Sequence, residues 1–117
     1  MSVRAYITRE KHIWVNEETG HIQYNNDGEN LTKYTHTDEE FAFNIWHQDK
    51  FVDEMFRFGA EDYTNHDFLG EIEMGKEEFE SMCEHSDMDF TQDDLESIKT
   101  IENYFEEGWN WVTFRCY

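Results

Sequence analysis

Thr91 to Tyr117, reading TQDDLESIKTIENYFEEGWNWVTFRCY, decides the fold class because its periodicity changes once within it. Thr91 is a helix N-cap type, and Asp93 and Asp94 fall in the first turn, where carboxylates complement the helix dipole. Leu95, Ile98, Ile101 and Phe105 then recur on one helical face. Gly108 supplies the stop. From Trp109 to Tyr117 the chain turns to Trp, Val, Thr and Phe, residues that suit a pleated, half-buried surface, so a strand follows the helix.

Working back toward the N-terminus, Lys76 to Cys83 reads as a short helix with Phe79, Met82 and Cys83 inward. Phe68 to Met74 alternates weakly and ends at Gly75, which predicts a short strand. Thr37 and Glu40 have the spacing of a capping box. Phe41, Ile45, Gln48, Val52, Met55 and Phe56 keep a roughly 3.6-residue rhythm up to Gly59. This predicts one long helix, or two joined near Gln48, with Asp38, Glu39, Asp49, Asp53 and Glu54 on its outer face.

In the first third, Val3, Ala5 and Ile7 alternate along a strand, and His12 to Val15 and His21 to Tyr24 flank the turn-rich Asn16 to Gly20 as a hairpin. Asn25 to Asn30 reads as a loop from its Asn, Asp and Gly content. Strands, then helices, then a closing strand predict a single acidic α+β domain over residues 1–117. Its mainly antiparallel sheet, the N-terminal hairpin plus the C-terminal strand, would be packed with about three helices.

Charge sets the functional question. Of 28 Asp and Glu residues, 23 lie between Thr37 and Glu107, opposed only by Lys50, Arg57, Lys76 and Lys99, so this stretch accounts for the whole net charge of −19. Solubility asks for a magnitude of only about 2 to 8 in a small domain. Self-repulsion on this scale needs compensating burial, and 38% hydrophobic and 17% aromatic residues can supply it. The chain is therefore expected to fold, unlike an aromatic-poor acidic tail.

No apolar run approaches the roughly 18 residues of a membrane span, and the first residues lack a signal peptide's apolar core. An anionic surface is also repelled by acidic headgroups, so a cytoplasmic, non-membrane protein is expected. Cys83 and Cys116 fit that setting as small reduced hydrophobes rather than as a disulfide.

Enzyme chemistry finds little support. The six histidines form no His-Glu-x-x-His pair, and neither a Gly-rich phosphate loop nor a Gly-x-Ser-x-Gly elbow occurs. Asp67, Glu71, Glu73 and Lys76 depart from the spacing of a metal-dependent nuclease, and so anionic a nuclease would repel its substrate. Asp87, Asp89 and Thr91 start like a calcium loop, but Gln92 stands at the Gly position and Ile98 at the bidentate Glu position. Cys83, His85 and Cys116 lack the paired Cys-x-x-Cys of a zinc site. No catalytic residue, cofactor or metal is expected.

What the acid could do follows from its spacing. Nine carboxylates, Glu77, Glu78, Glu80, Glu84, Asp87, Asp89, Asp93, Asp94 and Glu96, fall within twenty residues without one basic residue. On helices, residues four apart sit about 6 Å from one another, so such rows approach the spacing of phosphates on a nucleic-acid strand. A compact chain of this length would be about 35 Å across, and 35 Å of duplex DNA carries about 20 charges, close to this chain's total.

In this character the chain resembles the small bacterial DNA-mimic proteins, and within them the monomeric type that binds the histone-like nucleoid protein HU. The resemblance covers length, acidity and mixed aromatic core; mimics share no sequence pattern, so no residue is carried over by matching. It implies a non-enzymatic monomer that occupies the DNA-binding surface of a basic, HU-like protein in competition with DNA, without binding nucleic acid itself. The outward acids Asp49, Asp53 and Glu54, with Glu77, Glu78, Glu80, Glu84, Asp87, Asp89, Asp93, Asp94 and Glu96, would be the phosphate-mimicking carboxylates. Tyr63 or Tyr104 could imitate a base or sugar surface, although core packing is the commoner fate of such rings. The alternative is an immunity or anti-defence inhibitor that plugs a basic nuclease active site, which would rely on buried anchors in one shaped cleft.

Overall fold

The computed structural model describes residues 2–117 as an α+β protein with an antiparallel sheet. Its elements are β1 (Arg4–Asn16), β2 (Ile22–Gln23), β3 (Leu31–Asn44), α1 (Asp49–Arg57), β4 (Glu61–Asp62), β5 (Gly70–Gly75), α2 (Lys76–His85), α3 (Gln92–Glu106) and β6 (Trp111–Cys116). Strand order is β2-β1-β6-β5-β4, with β3 also paired to β1. The chain forms two compact units, one of residues 1–8 and 40–117 and the other of Arg9–Glu39.

In the first unit the closing strand is central. β6 pairs antiparallel with β1 through Ile7↔Phe114 and Ala5↔Cys116, and with β5 from Gly70↔Cys116 to Gly75↔Trp111. Val112, Phe114 and Cys116 are buried, as are Ala5, Ile7, Ile72 and Met74 from the flanking strands, so one face of these strands builds the core. The helices close that same core. Phe43 meets Phe114 at 4.9 Å and Phe51 of α1 at 5.8 Å, while Phe79 of α2 meets Phe105 of α3 at 5.8 Å. Each such ring contributes about 1.5 to 3 kcal/mol by burial, which offsets the repulsion of the acids outside.

The best-specified helix is α3, whose Thr91 hydroxyl accepts from the Asp94 amide while the Asp94 carboxylate accepts from the Thr91 amide, a complete capping box. Its inward stripe is Asp94, Ser97, Ile98, Ile101, Tyr104 and Phe105. Leu95, expected inward, is instead 49% exposed, because the cap rotates the stripe so that Asp94 and Ser97 take the inner positions.

The helix expected from Thr37 is a correction. Thr37 to Asn44 is the end of β3, and helix begins only at Asp49. Thr37 and Glu40 fit the capping pattern locally, but the pairing of β3 with β1 supplies backbone partners that a helix start would have had to find in side chains. The transition is made by Asn44, whose Oδ1 accepts from the amides of Trp46 and His47. Gln48, the residue before α1, makes no side-chain cap. Its amide nitrogen donates to Asp94 and Ser97 at 3.0 Å each.

The second unit contains the expected hairpin, with Trp14↔Gln23 and Val15↔Ile22 in register. The Asn16 side chain accepts from the amides of Glu18 and Thr19, and the Gly20 amide donates to the Asn16 carbonyl at 2.7 Å. β3 was not foreseen as a strand from Leu31. It is held by its Thr and Tyr content and by contacts such as His12 to Thr35 at 2.9 Å and the Tyr34 hydroxyl donating to Glu17 at 2.5 Å. Among the described side chains of this unit none is buried.

Candidate functional site

The acid gathers on the helical side of the first unit. That unit holds 21 acidic and 6 basic residues, a balance of −15, whereas Arg9–Glu39 holds 7 against 3. From Lys76 to Glu106, eleven acids face only Lys76 and Lys99. Glu77, Glu78, Glu80 and Glu84 are exposed on α2, Asp87 and Asp89 are exposed on the link, and Asp93 and Glu96 are exposed on α3. They stay outward because Phe79 and Met82 on α2, and Ile98, Ile101 and Phe105 on α3, take up the inner faces.

On the opposite side of the strands the charge is mixed. There Tyr6 and Arg115 stand in register, as do Arg115 and Glu71, and Tyr6 stacks on Tyr117 at 5.0 Å. The anionic surface is thus the helical one.

Two of the twelve expected partner-binding carboxylates are not available to a partner. Glu54 is 8% exposed, accepting from Arg57 at 2.9 Å and from the Ser86 hydroxyl at 2.8 Å. Asp94 is 2% exposed, committed to the Thr91 amide and Gln48. Helical periodicity placed both on outer faces; the neighbouring α2 terminus and the α1 entry cover them. Asp49 and Asp53 remain exposed on α1.

Sequence reasoning stopped the acidic surface at Glu96, where Lys99 interrupts the run. Glu102 and Glu106 nevertheless extend it, lining with Glu80, Lys76, Phe79 and Phe105 a groove between α2 and α3. Their i, i+4 spacing on a helix was the signal that could have found them. Lys76 approaches Glu80 at 3.9 Å, a loose surface pair that neutralises little. The same carboxylates act on Cys83: burial first, then Glu102 and Glu80, push its thiol up to about 11.

A second feature was not foreseen. Trp46, 54% exposed, meets Phe68, 43% exposed, edge to face at 5.7 Å. Phe68 is held at φ 66°, a left-handed conformation that costs a non-glycine residue of order 1 to 3 kcal/mol. The turn enforces it: the Phe68 amide donates to the Asn65 carbonyl, and the Asn65 side chain accepts from the amides of Asp67 and Leu69. Gly70, at φ 138°, closes this loop where a Cβ would lie 2.6 Å from the Tyr63 carbonyl oxygen.

Of the aromatics considered as base or sugar imitators, Tyr63 is 60% exposed, its hydroxyl donating to Glu61, whose carboxylate holds the phenol above its ordinary value. Tyr104 is buried and stacks on Trp109 at 5.7 Å.

Cys83 and Cys116 are unpaired thiols, the first half-buried and the second buried. Among the described residues, no three His, Cys, Asp or Glu side chains converge as a metal site, and no helix is long and apolar enough to cross a membrane. Comparison with protein-family models, curated proteins and solved structures gives no match to this chain.

Proposed function

We propose that the chain is a non-enzymatic DNA mimic, a cytoplasmic monomer whose anionic helical surface occupies the DNA-binding surface of a basic, HU-like protein in competition with DNA. The observation that carries this reading is the segregation of charge within the first unit, with eleven acids against two bases along α2, the link and α3 and a mixed surface across the strands. Lys and Arg of the partner would meet carboxylates where they otherwise meet phosphates, with steered encounter and an affinity that falls as salt rises. Carboxylates also accept bidentate hydrogen bonds from Arg, which adds geometry to charge.

The test is a gel shift. Purified chain should displace HU from DNA, with the displacement fading as salt rises from about 50 to about 200 mM, the range over which multi-charge contacts weaken steeply. HU remaining on DNA at a large molar excess of chain in low salt removes this target.

One observation favours the second reading, inhibition of a basic nuclease. The exposed Trp46–Phe68 pair offers an apolar anchor of the kind found in tight, cleft-filling complexes. Protection of cells from a cognate nuclease toxin, with no effect on HU, would select it.

A further inference from the structure

We infer that the groove beside Trp46 and Phe68 is a receptor for an arginine side chain of the protein partner, so that recognition has one specific anchor within a diffuse electrostatic surface. This rests on the reading that the partner is a basic protein, and holds whether that protein binds DNA to package or to cut it.

The groove is open, about 330 Å³, at the small end of ligand pockets, which run from about 300 to 1,000 Å³. That size suits one side chain better than an extended ligand. It is lined by the buried Ile45 and Val52, the half-buried Phe56, the exposed rings of Trp46 and Phe68, and the exposed Asp49 and Asp53, one turn apart on α1. Trp46 also lines a second depression, with Val3, His66, Asp67 and Leu69, so the indole is shared by two hollows, each lined in part by carboxylate. Neither hollow is lined by Lys or Arg.

The chemistry selects the occupant. An apolar partner residue would leave Asp49 and Asp53 desolvated without a hydrogen bond, and an acidic one would be repelled by them. A cation satisfies them, and the exposed faces of Trp46 and Phe68 attract it through their ring quadrupoles. Arginine fits better than lysine, because its planar guanidinium is weakly hydrated, stacks on an aromatic face and still presents donors at its edge to a carboxylate. Its methylene stem would cover Val52 and Phe56. The strained φ of Phe68 belongs to this picture: the loop spends backbone energy to hold a large apolar ring at the surface beside an indole, an arrangement that core packing does not require.

The experiment titrates the full chain with a blocked hexa-arginine peptide and, separately, with hexa-lysine, following the four tryptophan indole N–H resonances and the Kd. The Trp46 signal, assigned by its absence in Trp46→Phe, should move most, and hexa-arginine should bind more tightly than hexa-lysine. Trp46→Ala should weaken hexa-arginine binding about twofold to thirtyfold, the range of a cation over an indole from exposed to desolvated settings. Asp49→Asn with Asp53→Asn should weaken it similarly while leaving the rings in place, which keeps the test independent of any unfolding of Trp46→Ala. Equal affinity for the two peptides, or indole shifts confined to Trp14, Trp109 and Trp111, overturns the receptor. If hexa-arginine binds at Trp46 and HU is never displaced from DNA, the DNA-mimic reading fails and the receptor stands. If HU is displaced equally well by wild type and Trp46→Ala, and the peptides are not distinguished, the receptor fails and the mimic reading stands.

Discussion

The two units of the chain are both acidic but differ in what lies beneath the charge. Residues 1–8 and 40–117 carry a balance of −15 and every fully buried hydrophobic side chain among the described residues, whereas Arg9–Glu39 has a balance of −4 and no buried side chain among those described. Both units are net acidic, but most of the charge, −15 of −19, sits on the unit whose burial can oppose its repulsion, while the other carries 7 acids against 3 bases. Most of the acid is thereby displayed on the part of the molecule that has stability to lose.

The sharpest way to break the comparison is to remove a core ring. Phe114→Ala should cost about 3 to 5 kcal/mol by denaturant unfolding, while Trp14→Ala in the hairpin should cost less than about 1 kcal/mol. Equal costs would mean that the second unit carries a core of its own. Next comes the contrast between two carboxylates on α3 that are adjacent but one residue. Asp94→Ala removes a cap and a buried acceptor and should cost about 2 to 3 kcal/mol, taking from the Gln48 amide one of its two acceptors and leaving Ser97. Glu96→Gln should leave stability within about 0.5 kcal/mol and lower only the ability to displace HU, so the pair separates acids that build from acids that display.

A third expectation reverses the usual sign of mutation. Replacing Glu80, Glu102 and Glu106 by Gln should raise stability slightly, by about 0.5 kcal/mol, since like charges one turn apart repel. The same variant should shift HU displacement toward higher protein concentration, by on the order of tenfold, and flatten its salt dependence. Loss of stability in this variant would show these side chains to be structural.

The smallest effect concerns pH. Cys83 and Cys116 are pushed up from near 9 to about 11 and about 12, chiefly by burial and then by nearby carboxylates. Above the unfolded value near 9 the unfolded chain loses thiol protons that the folded chain keeps, so stability falls as pH rises from about 9 toward the folded values. A melting temperature that declines through this window, and alkylation of both thiols that is slow at neutral pH and fast on unfolding, would agree with this. Rapid labelling of Cys116 in the folded chain would not.

Much of the cored unit was legible in order. Thr91 with Asp94 marks the start of α3 because a cap is chemistry among neighbours in sequence, and Val112, Phe114 and Cys116 alternate because β6 is central and buried on one side only. The acidic surface was legible as a density of Glu and Asp, and its outward members on α2 and α3 follow from helical period alone. Glu54 and Asp94 misled for the same reason: period gives the face of a helix, but Ser86 and Gln48, distant in sequence, decide whether that face meets water.

By itself, then, the sequence determined the amount of charge, the α+β class, the Thr91 cap and the parity of the closing strand, all properties set within a few residues. Only the tertiary structure decided that Thr37 to Asn44 pairs with β1 instead of coiling, and that Trp46 and Phe68 meet at the surface beside Asp49 and Asp53. The physical reason is the same in both cases. Strand pairing and side-chain convergence take their free energy from partners far along the chain, which no local pattern encodes.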